Sequence, residues 1–441
     1  MSFVRVARSF WLMLAVLAAA GSGYILIAPS SLLPSRLGLD AIAIAIFWVA
    51  PSIFGIIAVT KGARWPWLFV IVLHFVVYWT LAGSWPGGSD QRGNLELVQN
   101  MHAGLGYMAH YGAIPTFAYL PPGYPSLLTA WTWVFGLTQY SAVALNFTLD
   151  FGAAATIFAV VRRRAPAAAL ACAFAYLVWP DKIISSLLPS KEGLALLLFC
   201  QFLMWLDQPQ GRIRAVAIGI SAAGLGLTQP AWALLAVLAA TLSMRLRIRD
   251  LPIIAMAGCA VMAPWWLHCY RAFGTFVLFT ASGPLSMEVV ATGNNFNFVS
   301  ERLAQGEIAG GRAAFHHAMS VISADVLHFL QVRVVEAIRT LAFDLEAISL
   351  TNNSASKLAV ACQIFYVAVL ALASRCQNRF FAKVTIIAIV AMIIMAVPFE
   401  FAPRHKEFLI PLAIIAAGLC RFDPKHLFAA RPLVPPPVQQ Q

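Results

Sequence analysis

The sequence predicts an all-α polytopic membrane protein, a bundle of about twelve transmembrane helices. Of its 441 residues, 61% are hydrophobic and 11% are charged, whereas a soluble domain carries about 25% charged residues. Apolar stretches approaching the ~20 residues that cross a bilayer recur along the chain. Short runs of lysine and arginine flank these stretches, so the positive-inside rule accounts for the net charge of +12, and no nucleic-acid partner is expected.

The candidate spans are apolar in the middle and polar at their ends. In chain order they are Phe10–Ala28, Ala41–Val59, Trp67–Ala82, Ser141–Val161, Ala165–Trp179, Glu192–Leu206, Ala215–Thr228, Ala231–Met244, Leu251–Leu267, Lys357–Ala373, Val384–Pro398 and Phe408–Leu419. Arg5 and Arg8 precede the first span, which places both termini in the cytoplasm. We expect residues 1–66 to form an extra N-terminal hairpin, 67–420 the main membrane domain, and 421–441 a disordered cytoplasmic tail.

A polar stretch over residues 83–140 follows the third span. Loops this long are usually functional or disordered, and its many tyrosines and prolines argue against disorder. Within it, Tyr124–Leu137 is apolar but short, and a proline-rich turn precedes it. If Tyr124–Leu137 crossed the bilayer, Arg162-Arg163-Arg164 would lie outside. We therefore expect an interfacial or re-entrant helix there and an external loop over 83–140.

A second external segment is expected over residues 268–356. It is more polar than the spans around it and contains a helical pattern from Ala313 to Leu345. Such a segment is long enough to form a small external domain or a lid. Because the short loops are then cytoplasmic and the long, varied ones external, the sequence places the functional face outside.

Asp90 is the first candidate for chemistry. An acid beside glycines can approach a substrate closely, and glycosyl transfer needs a general base that takes the proton of an acceptor hydroxyl. A solvated loop acid, or the N-cap of a helix over Gln91–Met101, would explain the same residue without function. The nearest acid in sequence is Glu96, which weakens the case for a divalent-metal site at Asp90.

Charged groups also occur at span ends that we place outside. Asp181-Lys182 and Lys191-Glu192 are candidates for substrate contact or for helix anchoring by snorkelling. The cluster Pro403-Arg404-His405-Lys406 is cationic although external, against the positive-inside trend. An anionic lipid phosphate would explain it, since arginine binds phosphate in bidentate fashion, and headgroup anchoring is the alternative.

No metal site or cofactor is expected from the sequence. His268 and His316-His317 lack an acid or histidine partner at ligand spacing, so a polar surface role suits them better. The seven cysteines are scattered and show no paired spacing, which argues against a disulfide framework and against a metal cluster.

The order of several short motifs resembles the GT-C superfamily, and more closely the bacterial glycosyltransferases related to protein O-mannosyltransferases, which include the lipid A aminoarabinose and galacturonic acid transferases. After Asp90 these motifs are Gly104-Leu105-Gly106-Tyr107, Pro121-Pro122-Gly123-Tyr124-Pro125, Trp179-Pro180 with Glu192, Leu227-Thr228-Gln229-Pro230, Pro264-Trp265-Trp266-Leu267-His268-Cys269-Tyr270, Gly293-Asn294, and Arg404-His405 with Pro411. The resemblance covers about Trp67 to Leu419. The chain departs from the family pattern at several positions: Gln229 and His268 replace arginines, Asn94 and His405 replace tyrosines, and Cys269 replaces asparagine.

The resemblance implies an inverting glycosyltransferase, a multi-pass protein of the bacterial inner membrane with its active site on the periplasmic side. Its donor would be a polyprenyl-phosphate-linked sugar and its acceptor a lipid, a glycan or a protein, and no cofactor or metal is implied. Asp90 would be the general base, and Arg404, with Lys191 or Lys182, would stabilise the departing phosphate. Further substrate contacts would come from Tyr107, Pro122, Tyr124, Glu192, His268 and His405.

Two other classes of protein stay open on the sequence. A lipid-glycan ligase or polymerase would use the same external face. A secondary transporter would also have about twelve spans, but transporters bind near the bilayer midplane between repeats, and the sequence has no evident two-half repeat.

Overall fold

The computed structural model describes residues 3–27, 51–81, 89–242, 246–293, 296–342, 355–396 and 406–420. These residues form helices almost throughout, with one two-stranded antiparallel sheet. The helices are α1 (Phe3–Ile27), α2 (Pro51–Thr60), α3 (Trp65–Leu81), α4 (Ser89–His102), α5 (Gly123–Phe135), α6 (Gln139–Arg162), α7 (Pro166–Leu177), α8 (Pro180–Ser185), α9 (Glu192–Leu206), α10 (Arg212–Thr228), α11 (Pro230–Leu242), α12 (Leu251–Phe273), α13 (Gly283–Ala291), α14 (Asn297–Ala304), α15 (Glu307–Ala324), α16 (Val326–Ala342), α17 (Ala355–Ala373), α18 (Arg379–Ala396) and α19 (Leu409–Gly418). The strands are β1 (Ala109–Tyr111) and β2 (Ile114–Thr116).

Helix boundaries follow local sequence signals. Thr138 accepts a hydrogen bond from the Ser141 backbone N–H and forms a capping box at the start of α6. Pro166 begins α7, where its missing N–H costs nothing. Gly274 ends α12 with a φ of 62°, a left-handed conformation that glycine adopts without strain.

Two helical stretches among the described residues are long and apolar enough to cross a membrane, Tyr140–Arg162 and Ile248–Phe273. A third arises if α15 and α16, bent by 102° to each other, are one broken span. Seven further apolar helical stretches among the described residues have 10–17 residues. Prolines at helix starts divide the apolar runs, so that α7, with 12 residues, is about 18 Å long against a hydrocarbon core of about 30 Å. The helical class is therefore observed, while the count of about twelve spans is not confirmed.

The N-terminal helix packs among helices from the end of the chain. α1 lies against α16, α17 and α18. Gln363 donates its side-chain amide to the Ala18 carbonyl at 2.7 Å, and the Arg8 guanidinium donates to the Ser374 carbonyl at 2.9 Å. The proposed boundary at residue 66 stays a prediction, and the tail over 421–441 lies outside the described residues.

The stretch predicted as an interfacial helix, Tyr124–Leu137, is the helix α5, which ends at Phe135. Tyr124, Leu128 and Thr132 form its buried face, at helical spacing. Trp133 is 69% exposed at the other end. This amphipathic pattern fits a helix that lies along a surface, and its placement in the membrane interface remains a prediction.

The helical pattern predicted over Ala313–Leu345 is observed as far as Ala342, where the described part ends, and it consists of two helices. α15 begins earlier, at Glu307, and the chain turns by 102° before α16. Asp325 lies at the break, and its carboxylate accepts a hydrogen bond from the His328 backbone N–H at 2.9 Å and caps the new helix.

Two of the short basic runs that indicate the membrane orientation, at residues 162–164 and 212–214, also hold helix ends together. Arg164 makes a two-pronged ion pair with Asp207, the residue that follows α9. Arg214 is buried, and its guanidinium donates to the carbonyls of Trp205 and Leu206. The bonds from Arg214 add a side-chain donor to carbonyls in the last turn of α9, where helices leave carbonyls without intrahelical partners.

Candidate functional site

A cavity of about 550 Å³ opens at the N-terminal ends of α4 and α9. Its walls come from segments far apart in sequence, namely α4, the chain after β2, the α10–α11 junction, α13, α14 and the end of α18. Its polar lining comprises Asp90, Tyr111, Tyr119, Lys191, Gln229, Thr280, Ser282 and Ser286. Its apolar lining comprises Leu120, Pro121, Pro230, Ala231, Leu234, Leu278, Phe279, Gly283, Leu285, Val289, Phe296, Val299 and Met395. A ligand that fills this cavity has a polar part and an apolar part.

Asp90 lines the cavity from the first turn of α4, and not from a loop. Because Ser89 already begins the helix, Asp90 is within the first turn, where the helix dipole favours a negative charge. Its carboxylate lies close to Tyr111. Burial, and then the negative charge of Asp90, raises the pKa of the Tyr111 hydroxyl above its ordinary value. Tyr111 is therefore a neutral hydrogen-bonding group beside the acid.

Lys191 lines the same cavity from the residue that precedes α9. Among the described side chains, no carboxylate forms an ion pair with its ammonium group. Glu192, 8% exposed, begins α9 and borders a narrow crevice that Asp90 and Lys191 also line. The structure thus brings together an acid and a cation that lie about a hundred residues apart.

Lys182 has a different environment from Lys191. Its side chain is 3% exposed, and its ammonium lies 3.2 Å from a carboxylate oxygen of Asp150, which is equally buried. Ser186 donates a further hydrogen bond to the same carboxylate. Of the two lysines predicted to bind the donor phosphate, Lys191 lines the cavity and Lys182 is committed to a buried ion pair.

Two tyrosines that the sequence did not single out form part of the cavity wall. The rings of Tyr111 and Tyr119 are 5.4 Å apart, and both line the cavity. Glu307 fixes the chain before Tyr119, because its carboxylate accepts hydrogen bonds from the backbone N–H groups of Phe117 and Ala118. The richness of the 83–140 stretch in tyrosine was a usable signal for the pair, but no local signal connects Glu307 with residues 117–118.

Tyr107 and His268 support this wall from behind. The Tyr107 hydroxyl donates to the Leu120 carbonyl at 2.9 Å. His268 stacks on Trp265, and its Nε2 lies 2.9 Å from the Phe117 carbonyl, to which it donates in the tautomer protonated at that nitrogen. Both residues hold the segment that carries Tyr119 and Leu120, and neither is among the residues that line the cavity.

Pro122 and Tyr124 are also buried behind the wall. Pro122 precedes α5, and the Tyr124 hydroxyl donates to the Asn146 side chain at 3.0 Å. Between them, Gly123 lets α5 approach the end of α10, since a Cβ there would lie 2.4 Å from the Thr228 hydroxyl and 2.9 Å from the Leu227 carbonyl oxygen. The two proline motifs therefore meet directly and present Pro121 and Gln229 to one cavity.

Arg404, His405 and Asn294 lie outside the described residues, so their predicted roles are not tested. The neighbouring Lys406 is described and is 1% exposed. Its ammonium donates to the Thr340 carbonyl at 2.6 Å and lies 4.5 Å from the centroid of the Tyr366 ring. Headgroup anchoring, the alternative considered for this cluster, is therefore wrong for Lys406, which is an internal tether.

His317 and His110 each pair with a nearby glutamate. His317 pairs with Glu288 at 2.6 Å, and His110 pairs with Glu96 at 2.5 Å. Across the part of the chain that the structure describes, no group of three or more His, Cys, Asp or Glu side chains is arranged to hold a metal ion.

No protein-family model matches the chain, and no curated protein matches it. Two solved structures are similar to it. ArnT from Cupriavidus metallidurans bound to undecaprenyl phosphate is 13% identical with a TM-score of 0.41, and the likeness covers 81% of this chain and 78% of that one. The same protein in the apo state is 16% identical with a TM-score of 0.38 and the same coverage. At such low identity, residue roles rest on the geometry of this chain alone.

Proposed function

We propose that the chain is a membrane glycosyltransferase that moves a sugar from a polyprenyl-phosphate-linked donor to an acceptor at the external face of a bacterial inner membrane. One observation carries the proposal. Asp90 and Lys191, distant in sequence, line one cavity of about 550 Å³ that also has many apolar lining residues. An acid, a cation and an apolar surface in one cavity suit a substrate that joins a sugar, a phosphate and a hydrocarbon chain.

The apolar wall would hold the prenyl chain of the donor. Leu234, Leu285, Val289 and Met395 contribute to it. Each CH₂ group that leaves water contributes about 0.8 kcal/mol, so a few isoprene units account for substantial affinity. The Lys191 ammonium would bind the donor phosphate by a charge-assisted hydrogen bond.

Asp90 would act as the general base. Its carboxylate takes the proton of the acceptor hydroxyl as the hydroxyl oxygen attacks the anomeric carbon. The bond from that carbon to the phosphate oxygen breaks, and the phosphate leaves with the bonding electrons. Lys191 offsets the charge that develops on this oxygen, while attack from the face opposite the phosphate inverts the anomeric carbon. We expect a transition state with oxocarbenium character, as in other reactions at an anomeric carbon.

The direction of α9 supports an external site. Lys191 precedes the helix and Asp207 follows it. With 15 residues, the helix separates the two by about 22 Å. Asp207 pairs with Arg164 of the Arg162-Arg163-Arg164 run, which the positive-inside rule places in the cytoplasm. If α9 crosses the bilayer, the cavity at its opposite end is external, as the proposal requires.

The test uses the purified chain in lipid nanodiscs with a panel of pentoses and hexoses linked to undecaprenyl phosphate and labelled in the sugar. We expect label to move covalently onto a membrane lipid, glycan or protein acceptor. Transfer only from diphosphate-linked glycans would point to a ligase or polymerase. Movement of an unmodified solute across proteoliposomes without a covalent product would point to a transporter, and either result would overturn the proposal.

A further inference from the structure

A buried asparagine joins the two elements that carry Asp90 and Lys191. Asn94 lies one helical turn after Asp90 on α4 and is 4% exposed. Its side-chain amide donates to the Pro189 carbonyl at 3.0 Å. Pro189 lies two residues before Lys191, in the segment 186–191 that connects α8 to α9. Asn94 itself lines the narrow crevice that Asp90 and Lys191 share.

The segment 186–191 is also held from its other side. The Asn146 amide on α6 donates to the Ser186 carbonyl at 3.0 Å and to the Leu188 carbonyl. Those bonds fix the start of the segment to α6, which does not carry Asp90. The Asn94 bond joins the end of the segment, next to Lys191, to the helix that carries the acid.

We infer that Asn94 is a positioning residue that sets where the Lys191 ammonium stands relative to the Asp90 carboxylate. The inference rests on the proposed function. A base and a phosphate ligand must lie on opposite sides of the reacting carbon, and a misplacement of about 1 Å in such an arrangement can cost about a hundredfold in rate. A carboxamide suits this task because it is uncharged beside the acid and donates to a carbonyl that would otherwise be buried and unpaired.

The first measurement reads position without activity. We compare hydrogen–deuterium exchange of residues 186–192 in the intact chain in nanodiscs, for wild type, Asn94→Leu and Asn100→Leu. Asn100 is the matched control, because it lies on the same helix and its amide donates to the Met108 carbonyl at 2.7 Å, away from the segment. We expect exchange about tenfold faster in Asn94→Leu, the factor expected for losing one hydrogen bond, and no change in Asn100→Leu. Unchanged exchange in Asn94→Leu would overturn the inference.

The second measurement asks whether the position matters through Lys191. The dissociation constant of undecaprenyl phosphate is measured for wild type, Asn94→Leu, Lys191→Met and the double variant. If Asn94 acts by placing Lys191, Asn94→Leu weakens binding about tenfold alone and has no further effect once the ammonium is gone. If the losses of affinity from the two single variants multiply in the double variant, Asn94 only supports the fold, and the inference is overturned.

The outcomes also separate this inference from the proposed function. A wild-type chain that does not bind undecaprenyl phosphate would remove the proposed donor, and with it the role of Lys191. If the wild-type chain binds undecaprenyl phosphate but the affinity losses of the two single variants multiply in the double variant, only the role of Asn94 is removed. If Asn94→Leu is not recovered from membranes, Asn94→Gln, which keeps the carboxamide one methylene further out, enters the same cycle and is judged by the same criterion.

Discussion

Replacing Lys182 by methionine should damage the fold, whereas the same change at Lys191 should damage lipid binding. The Lys182 and Asp150 side chains are both 3% exposed and lie 3.2 Å apart. Lys182→Met would leave the Asp150 carboxylate, which also accepts from the Ser186 hydroxyl, buried without its cation. Removing one partner of a buried ion pair typically costs about 3–5 kcal/mol. We therefore expect Lys182→Met to lose about that much unfolding free energy.

The assay is unfolding in detergent, followed by fluorescence, beside the binding of undecaprenyl phosphate. Two controls make the result specific. Lys182→Met combined with Asp150→Leu should recover most of the loss, because an apolar pair of similar volume often replaces a buried ion pair at little cost. Lys191→Met should unfold within about 0.5 kcal/mol of wild type, as expected for a group outside the packed interior, and should bind the lipid about tenfold more weakly. A Lys182→Met protein with wild-type stability and lost lipid binding would refute this reasoning.

Three further variants test the support around the cavity. Gly123→Ala should lower the unfolding free energy by about 1–3 kcal/mol, because its Cβ would meet backbone of α10. Gly211→Ala, whose Cβ meets no atom within 4 Å, should lose only the cost of an alanine at the N-cap of α10, less than about 1 kcal/mol in the same melt. Glu307→Ala should cost about 1–3 kcal/mol for each backbone N–H left unpaired at Phe117 and Ala118, and Glu307→Gln should cost less; equal melts for both variants would argue against the clamp. Burial raises the pKa of Glu288, but the hydrogen bonds from Arg302 and His317 outweigh it and leave that pKa below 4.5. Its contribution to stability is therefore complete above pH 4.5 and lost as the pH falls through the lower folded value, so the wild-type melting temperature should fall there more steeply than that of Glu288→Gln.

Much of the helical architecture could be predicted from the sequence because apolar runs and prolines act locally. Glu192–Leu206 begins and ends at the predicted residues, and Tyr124–Leu137 is helical up to Phe135. The break at Asp325 was missed because a polar residue inside a helical pattern becomes a cap only when the chain turns. The number of membrane crossings could not be fixed, since helices of 10–17 residues are too short for hydropathy alone to decide.

Part of the candidate site could also be predicted from local signals in the sequence. Asp90 and Lys191 stood out as charges beside apolar segments, and they line one cavity. Lys182 carries the same local signal as Lys191, yet it pairs with Asp150, and only the packing of α6 against α8 and α9 distinguishes the two lysines. The role predicted for Arg404 as a phosphate ligand remains a prediction, because residues 397–405 lie outside the described part of the chain.

The most direct test of the central claim is the rate of sugar transfer by Asp90→Asn. Asn at this position keeps the shape of the side chain and its place in the first turn of α4, but it cannot take a proton. Asp325→Asn is the matched control, because asparagine caps a helix about as well as aspartate and Asp325 is not among the residues that line the cavity. With an undecaprenyl-phosphate-linked sugar as donor, we expect Asp90→Asn to lose about 10²–10⁴ in turnover while its binding of undecaprenyl phosphate stays near wild type. Near wild-type turnover by a purified, folded Asp90→Asn protein would contradict the account.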